Sequence, residues 1–222
     1  MDKKIIQKKR MMGYFLEAAN KIIEEEGLEE ITIRKVADLA GYNYATVYNY
    51  FENLDHLIFF ACMKYLKGYI LDLPNHIKNA DNALDKYLLI WECFSKHSYT
   101  HPKIYYKMFF DKFSGSYNDA VKQYYFIFPE EIAEQAQDML PTMLNDNKFH
   151  RDMEALKACA KEGFLKKESL EEINDMCMLI YEGMLLRMIH QADRYTVEKA
   201  VETTLRYIKQ ILKSFMEKQV GD

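Results

Sequence analysis

Apolar residues recur at three- and four-residue spacing along almost the whole chain, and strand-type alternation is nearly absent, so the pattern predicts an all-α protein. The first amphipathic segment, Lys4 to Glu26, carries Ile5, Met12, Phe15, Leu16, Ala19, Ile22 and Ile23 on one face and stops at Gly27. A short helix then runs from the N-cap candidate Thr32 to Ala40, with Ile33, Val36, Ala37 and Ala40 on one side. Gly41 permits a tight turn, and Asn43 caps a third short helix, Tyr44–Tyr50, with Tyr42 and Val47 placed to staple its start. Asn53 opens a longer helix, Leu54–Leu73, closed by Pro74.

That fourth helix is apolar nearly all round (Leu57, Ile58, Phe59, Phe60, Cys62, Tyr65, Leu66, Tyr69, Ile70), which places it between two packed units. Residues 1–53 form the first expected domain and 54–222 the second, with 54–73 as connector. Further helices are expected at about 81–98, 102–113, 117–128, 130–145, 149–162, 169–193 and 196–218. Pro102, Pro129, Pro141, Gly115 and Gly163 punctuate them, and no internal repeat is present.

Composition narrows the function classes. In 222 residues, 49% hydrophobic and 29% charged usage is globular rather than disordered. A net charge of −4 argues against a general nucleic-acid coat or a polybasic membrane binder. No stretch approaches a membrane span and the N-terminus lacks signal-peptide character, so a cytoplasmic protein is expected. Cys62, Cys93, Cys159 and Cys177 are scattered without a CxxC, as core thiols would be.

Three helices, the last two short and joined by a Gly-containing turn, make the plan of a helix-turn-helix. Thr32–Ala40 would cross the DNA backbone and Asn43–Tyr50 would enter the major groove. Thr46, Tyr48, Asn49 and Tyr50 offer hydroxyl or amide groups to phosphates and base edges, Ala45 allows close approach, and Arg34 reaches guanine or phosphate. The charge is distributed to permit this. Residues 1–10 hold five basic side chains against Asp2, a local +4, whereas Glu24, Glu25, Glu26, Glu29 and Glu30 cluster at the far end of the first helix.

The run ITIRKVADLAGYNYATVYNYFENLDHL, Ile31–Leu57, resembles the DNA-binding signature of the TetR family of bacterial transcription regulators. The resemblance rests on Ile33, Val36-Ala37, Ala40-Gly41, Thr46-Val47-Tyr48, Tyr50-Phe51 and Leu57. It covers about residues 5–70; beyond them only length and helical pattern agree. It implies that Thr46, Tyr48 and Tyr50 contact phosphates, that Tyr44, Ala45 and Asn49 face base edges, and that Arg34 reads base or backbone. Asn43, at the start of the recognition helix, completes the DNA-facing set. The chain departs from the family where Leu54 replaces a frequent phosphate-clamping lysine, so that contact is expected to be weaker.

Residues 87–128 hold 14 aromatics in 42 positions, a mix suited either to core or to a pocket for a small molecule. Trp91, Phe94, Tyr105, Phe109, Tyr125, Phe128 and Met143 are the candidate effector-lining residues. Cys93, His97 and His101 share a spacing of four, but three ligands on a helix expected to fray by Tyr99 do not make a metal site, and neither metal nor cofactor is expected.

Apolar stripes on the last two helices (about 169–193 and 196–218) either close the chain's own core or, as the resemblance implies, build a homodimer that presents two recognition helices to a palindromic operator. Catalytic motifs such as a nucleophile elbow, a phosphate loop or HExxH are absent from the sequence, so no enzyme is expected. The reading is a ligand-responsive regulator, most simply a repressor, released from double-stranded DNA by an apolar or aromatic effector. The same fold under control of a protein partner, with no small effector, is the alternative.

Overall fold

The computed structural model describes residues 3–131 and 148–216. Eleven α-helices run through these residues: α1 Lys3–Glu25, α2 Ile33–Ala40, α3 Tyr44–Val47, α4 Leu54–Cys62, α5 Leu66–His76, α6 Ala83–Thr100, α7 Pro102–Phe109, α8 Tyr117–Ile127, α9 Lys148–Lys161, α10 Leu170–His190 and α11 Val197–Phe215. An isolated bridge between Leu165 and Met216 is the β-type pairing found among the described residues. The helix expected at 130–145 lies outside them.

The chain divides into two compact units, and the division differs from the single cut expected at 53/54. Unit 1 takes residues up to Lys67 and a second stretch beginning at Lys107; unit 2 takes Gly68–Tyr106 and the C-terminal helices. The physical reason is packing that periodicity does not record. In unit 1, α8 packs on α1 and α4, and Phe113 brings its ring against Phe59 (6.0 Å between centroids) and His56 (5.0 Å).

The core of unit 1 takes Met12, Phe15, Leu16, Ala19, Ile22 and Ile23 of the stripe expected on α1, whereas Ile5, near the start of the helix, is 47% exposed. The buried six pack with Ile33, Val36 and Ala37 of α2 and with Val47, Phe51 and Leu57. Local chemistry sets the helix ends. Thr32 accepts the Lys35 amide at 3.1 Å, Asn43 accepts that of Ala45 at 2.9 Å and Asn53 that of His56 at 3.0 Å. Gly41 ends α2 at φ 78°, and the Tyr42 amide donates back to the Ala37 carbonyl at 2.9 Å, closing a Schellman turn.

Three expected elements come out differently. The recognition helix is regular only over Tyr44–Val47; Asn49 and Tyr50 then donate to Thr46 and Val47 three residues back, so the expected last turn tightens to 3₁₀ geometry. The Leu54–Leu73 helix is interrupted by a 3₁₀ turn at Met63–Tyr65 and continues past Pro74 to His76. Near a helix end, proline removes one donor without ending the run. Finally, α6 does not fray at Tyr99. That side chain is buried, and its hydroxyl meets Thr204 Oγ1 of α11 at 2.8 Å.

In unit 2, α6 packs on α9, α10 and α11, and α10 packs on α11. Its buried face carries Tyr87, Trp91, Phe94, Ser95 and Ser98, one side of the helix as 3.6-residue periodicity requires. All four cysteines are buried free thiols. Burial pushes Cys62 and Cys177 up to about 12 and Cys159 up to about 11, which keeps them protonated and unreactive.

Phe15 is fully buried and packs its ring against Tyr42, Tyr50 and Phe51 on either side of α3, so Phe15→Ala should cost about 3–5 kcal/mol of stability. Gly41→Ala should cost only about 1–2 kcal/mol, because an added Cβ meets nothing within 4 Å and the penalty is the left-handed backbone alone. Urea denaturation followed by helical circular dichroism checks both values and their order.

Candidate DNA-binding site

The recognition element is presented by a buried anchor. Val47 is fully buried while Tyr44 and Tyr48, in and just after the same helix, are each 52% exposed. Ala45 and Asn49 are exposed beside them, and Thr46 and Tyr50 are half-buried. Of the eight residues expected to face DNA, Arg34, Tyr44, Ala45, Tyr48 and Asn49 therefore present open side chains in unit 1. Asn43 is exposed, but its Oδ1 is occupied in capping α3. Tyr50 turns its ring toward Phe15, at 5.9 Å.

The Arg34 guanidinium lies 6.0 Å from the centroid of the Tyr44 ring, at the outer limit of a cation–π contact. This joins the first turn of α2 to the first turn of α3. Two further tyrosines extend the surface: Tyr14 of α1 stacks on Tyr42 at 6.2 Å and 21°, and both are exposed. Tyr42 thus packs on Tyr14 and Phe15 rather than serving simply as a staple for Val47. Sequence reasoning passed over Tyr14, whose signal is its place just outside the apolar stripe, next to Phe15.

Charge is arranged around this surface. Lys3, Lys4, Lys8 and Arg10 of α1 are exposed, and Lys9 lies 5.2 Å from the Phe126 ring centroid. The acids that cluster beyond α1 are partly neutralised within the unit: Lys35 reaches Glu26 (2.8 Å) and Glu30 (3.2 Å), and Lys64 reaches Glu24 (2.6 Å).

At the start of α4, where Leu54 takes the place of the clamping lysine, the next residue is an acid, Asp55. Lys112 (2.7 Å) and Lys107 (3.4 Å) bracket its carboxylate and hold it below its ordinary range, the hydrogen bond from Lys112 being the main cause. The negative charge at this helix start is thereby matched inside the protein.

The candidate effector residues are divided between the two units. Trp91, Phe94 and Tyr105 are buried in unit 2, with Phe94 6.2 Å from Trp91 and 5.8 Å from Tyr105. Phe109, Tyr125 and Phe128 are buried in unit 1, where Phe109 meets Tyr117 at 4.9 Å and Tyr124 meets both Tyr125 (5.4 Å) and Phe128 (4.9 Å). Met143 lies outside the described residues. Cys93 is buried, His97 pairs with Asp72 at 2.9 Å, and among the described residues no three His, Cys, Asp or Glu side chains are grouped to hold a metal.

Comparison with known proteins agrees with this geometry. The profile of "Bacterial regulatory proteins, tetR family" matches residues 15–59, the span from Phe15 through α4's first turns. Thermus thermophilus FadR, a TetR-family transcriptional repressor solved with lauroyl-CoA, superposes with a TM-score of 0.62 at 14% identity, covering 95% of this chain and 98% of that one. Bacillus halodurans FadR, a fatty acid degradation regulator, gives 0.55 at 13% identity over 89% and 93%. The MbdR regulator of Azoarcus sp. CIB gives 0.52 at 18% over 88% and 95%. A search of curated protein sequences finds no match. Residues 15–59 thus match the tetR-family profile, and the chain shares the all-helical fold of these solved structures, a helix-turn-helix segment followed by further helices. Among the described residues no helix is long and apolar enough to cross a membrane.

His56 offers a pH test of the base of this site. Its Nδ1 accepts the Glu52 amide at 3.1 Å, and burial holds its pKa below the ordinary 6.5 despite the nearby Glu52 charge. The unfolded chain therefore binds this proton more readily, so the stabilising contribution is complete above 6.5 and declines as pH falls toward the folded value. Between about pH 7.5 and 5.5 the wild-type melting temperature should fall more than that of His56→Asn, whose amide oxygen can still accept the Glu52 N–H. His101 has the same sign and is present in both proteins, so the comparison isolates His56.

Proposed function

We propose that the chain is a ligand-responsive transcriptional regulator, acting as a repressor, that binds a palindromic operator as a homodimer and is released by a small, largely apolar or aromatic effector. The observation that carries this reading is the α3 surface: Tyr44, Ala45, Tyr48 and Asn49 stand open on a turn anchored by Val47, inside the segment matched to the tetR profile. In this role Thr46, Tyr48 and Tyr50 hold phosphates, while Tyr44, Ala45, Asn49 and Arg34 read the groove.

Dimerisation through the last two helices is supported by what unit 2 leaves uncovered. Of the apolar stripe expected on α10 (Leu170, Ile173, Met176/Cys177, Ile180, Met184 and Met188), Leu170, Ile173, Cys177, Met184 and Met188 are buried within the unit and Ile180 is half-buried. Met176 and the adjoining Leu179 are exposed, Leu179 at 61%. On α11, Val201 and Leu205 stay half-exposed beside a buried Thr204 and Ile208. An apolar strip of this kind on paired long helices suits a two-fold, self-complementary interface. An effector would release DNA only by binding the DNA-incompetent arrangement more tightly, since equal affinity shifts nothing. That a protein of this fold, T. thermophilus FadR, holds lauroyl-CoA supports an effector of apolar body.

Fluorescence anisotropy against DNA from upstream of the chain's own gene should give a specific Kd of about 10⁻⁸ M or tighter, weakening steeply with salt. Binding no tighter than to random duplex would sink the proposal. Thr46→Ala and Tyr48→Phe should weaken binding to all sequences alike, whereas Asn49→Ala and Tyr44→Ala should change which sequences are preferred. In ultracentrifugation, Leu179→Glu should shift the protein toward monomer and lower operator affinity while leaving its helical content intact; an unchanged dimer would remove α10 from the interface.

A further inference from the structure

A half-open groove of about 760 Å³ lies along α9 and α10 in unit 2, within the size range of small-molecule sites. None of the candidate aromatic residues lines it. Its wall is apolar at Met153, Ala160 and Leu170, interrupted by one amide, Asn174. Asn174 is only 3% exposed, and its Oδ1 has no hydrogen-bond partner among the described residues. A buried amide oxygen left unpaired is costly wherever no donor reaches it. A planar amide is also the natural complement of another amide, accepting at its oxygen and donating at its nitrogen.

The rim carries charges of both signs. Lys157, Lys167, Glu171 and Asp175 line the same opening. Lys157 already donates to Glu154 at 2.7 Å, whereas Lys167, Glu171 and Asp175 make no ion pair among the described residues. A simple anion would meet the two acids, and a simple cation would meet the lysines. A molecule complementary to the whole rim therefore carries one charge of each sign. Lys167, in the 3₁₀ turn that leads into α10, and Asp175, on α10, are eight positions apart, a backbone rise of ~12 Å at ~1.5 Å per residue.

We infer that this groove is a binding site for a short, apolar, extended peptide with free termini, three to four residues long. At ~3.3–3.6 Å per residue, such a peptide spans that rise. Its carboxylate sits at Lys167, its ammonium at Asp175 beside Glu171, one backbone amide pairs with Asn174, and its side chains cover Met153 and Leu170. The site is independent of the DNA reading, because peptide binding and operator binding are measured separately.

Calorimetric titration of the full chain with leucyl-alanyl-leucine tests this, with the N-acetylated, C-amidated form of the same peptide as comparison. The free peptide should bind, and blocking its termini should weaken binding by about tenfold or more. Lys167→Glu and Asp175→Lys alter exposed residues and should leave thermal unfolding unchanged while each weakens the free peptide by about tenfold. Asn174→Leu should weaken free and blocked peptides alike. Equal binding of the free and blocked forms, an unchanged affinity in Lys167→Glu, or no binding at millimolar peptide would each overturn the inference. The titration contains no DNA, so none of these outcomes bears on the regulator reading.

Discussion

The ring of Phe15 lies 5.6 Å from that of Tyr42, 5.9 Å from Tyr50 and 6.5 Å from Phe51, and it is itself fully buried. Those partners bracket the recognition helix: Tyr42 stands before its cap, and Tyr50 and Phe51 stand after its last turn. A four-residue helix has almost no stability of its own, because nucleation costs more than so few hydrogen bonds return. Its position is therefore imposed from α1 through this aromatic cluster and through the buried Val47. Tyr44, Ala45, Tyr48 and Asn49 stay exposed on the element so held. The placement of the proposed DNA-facing surface thus rests on a packing constraint whose centre makes no contact with solvent.

Electrostatics acts on a different scale. A net −4 averages over segments of opposite sign, and the sum says little about a surface a few residues wide. The basic end of α1 carries the positive field. The acids beyond its other end are tied down by Lys35 and Lys64, and Asp55 is bracketed by Lys107 and Lys112. These are exposed or half-exposed pairs, each worth little to stability. Their effect is to keep carboxylates engaged near a surface that must approach phosphate.

What was legible from the residues was what is decided locally. Caps at Thr32, Asn43 and Asn53, the left-handed Gly41 and the buried stripe of α1 each depend on chemistry within a turn or two, and each stands where the pattern puts it. The failures are of another kind. Nothing local marks the 3₁₀ turn at Met63–Tyr65, because the flanking residues are apolar on every side and any helical phase satisfies them. Pro74 reads as a stop, yet one missing donor near a helix end is tolerated. The division into units was illegible for the same reason: α8 is far from α1 in sequence, and only long-range packing assigns it there.

The aromatic-rich stretch shows why composition alone is a poor guide to a binding site. Large rings are favoured both where a protein fills its own interior and where it accommodates an apolar guest, because the energy of each comes from removing the same area from water. Trp91, Phe94 and Tyr105 satisfy that demand with one another and with Tyr181, whose ring lies 5.8 Å from Trp91 and 5.1 Å from Phe94. Rings so engaged have little left to offer a ligand unless they first separate, and separation must be repaid by the guest. A site already open, with an unpaired buried amide and uncommitted rim charges, requires no such rearrangement. An unpaired buried polar atom alone does not separate core from site, since Trp91 Nε1 and Asn174 Oδ1 both lack a partner; what sets Asn174 apart is that it lines an open groove, whereas Trp91 is packed among rings.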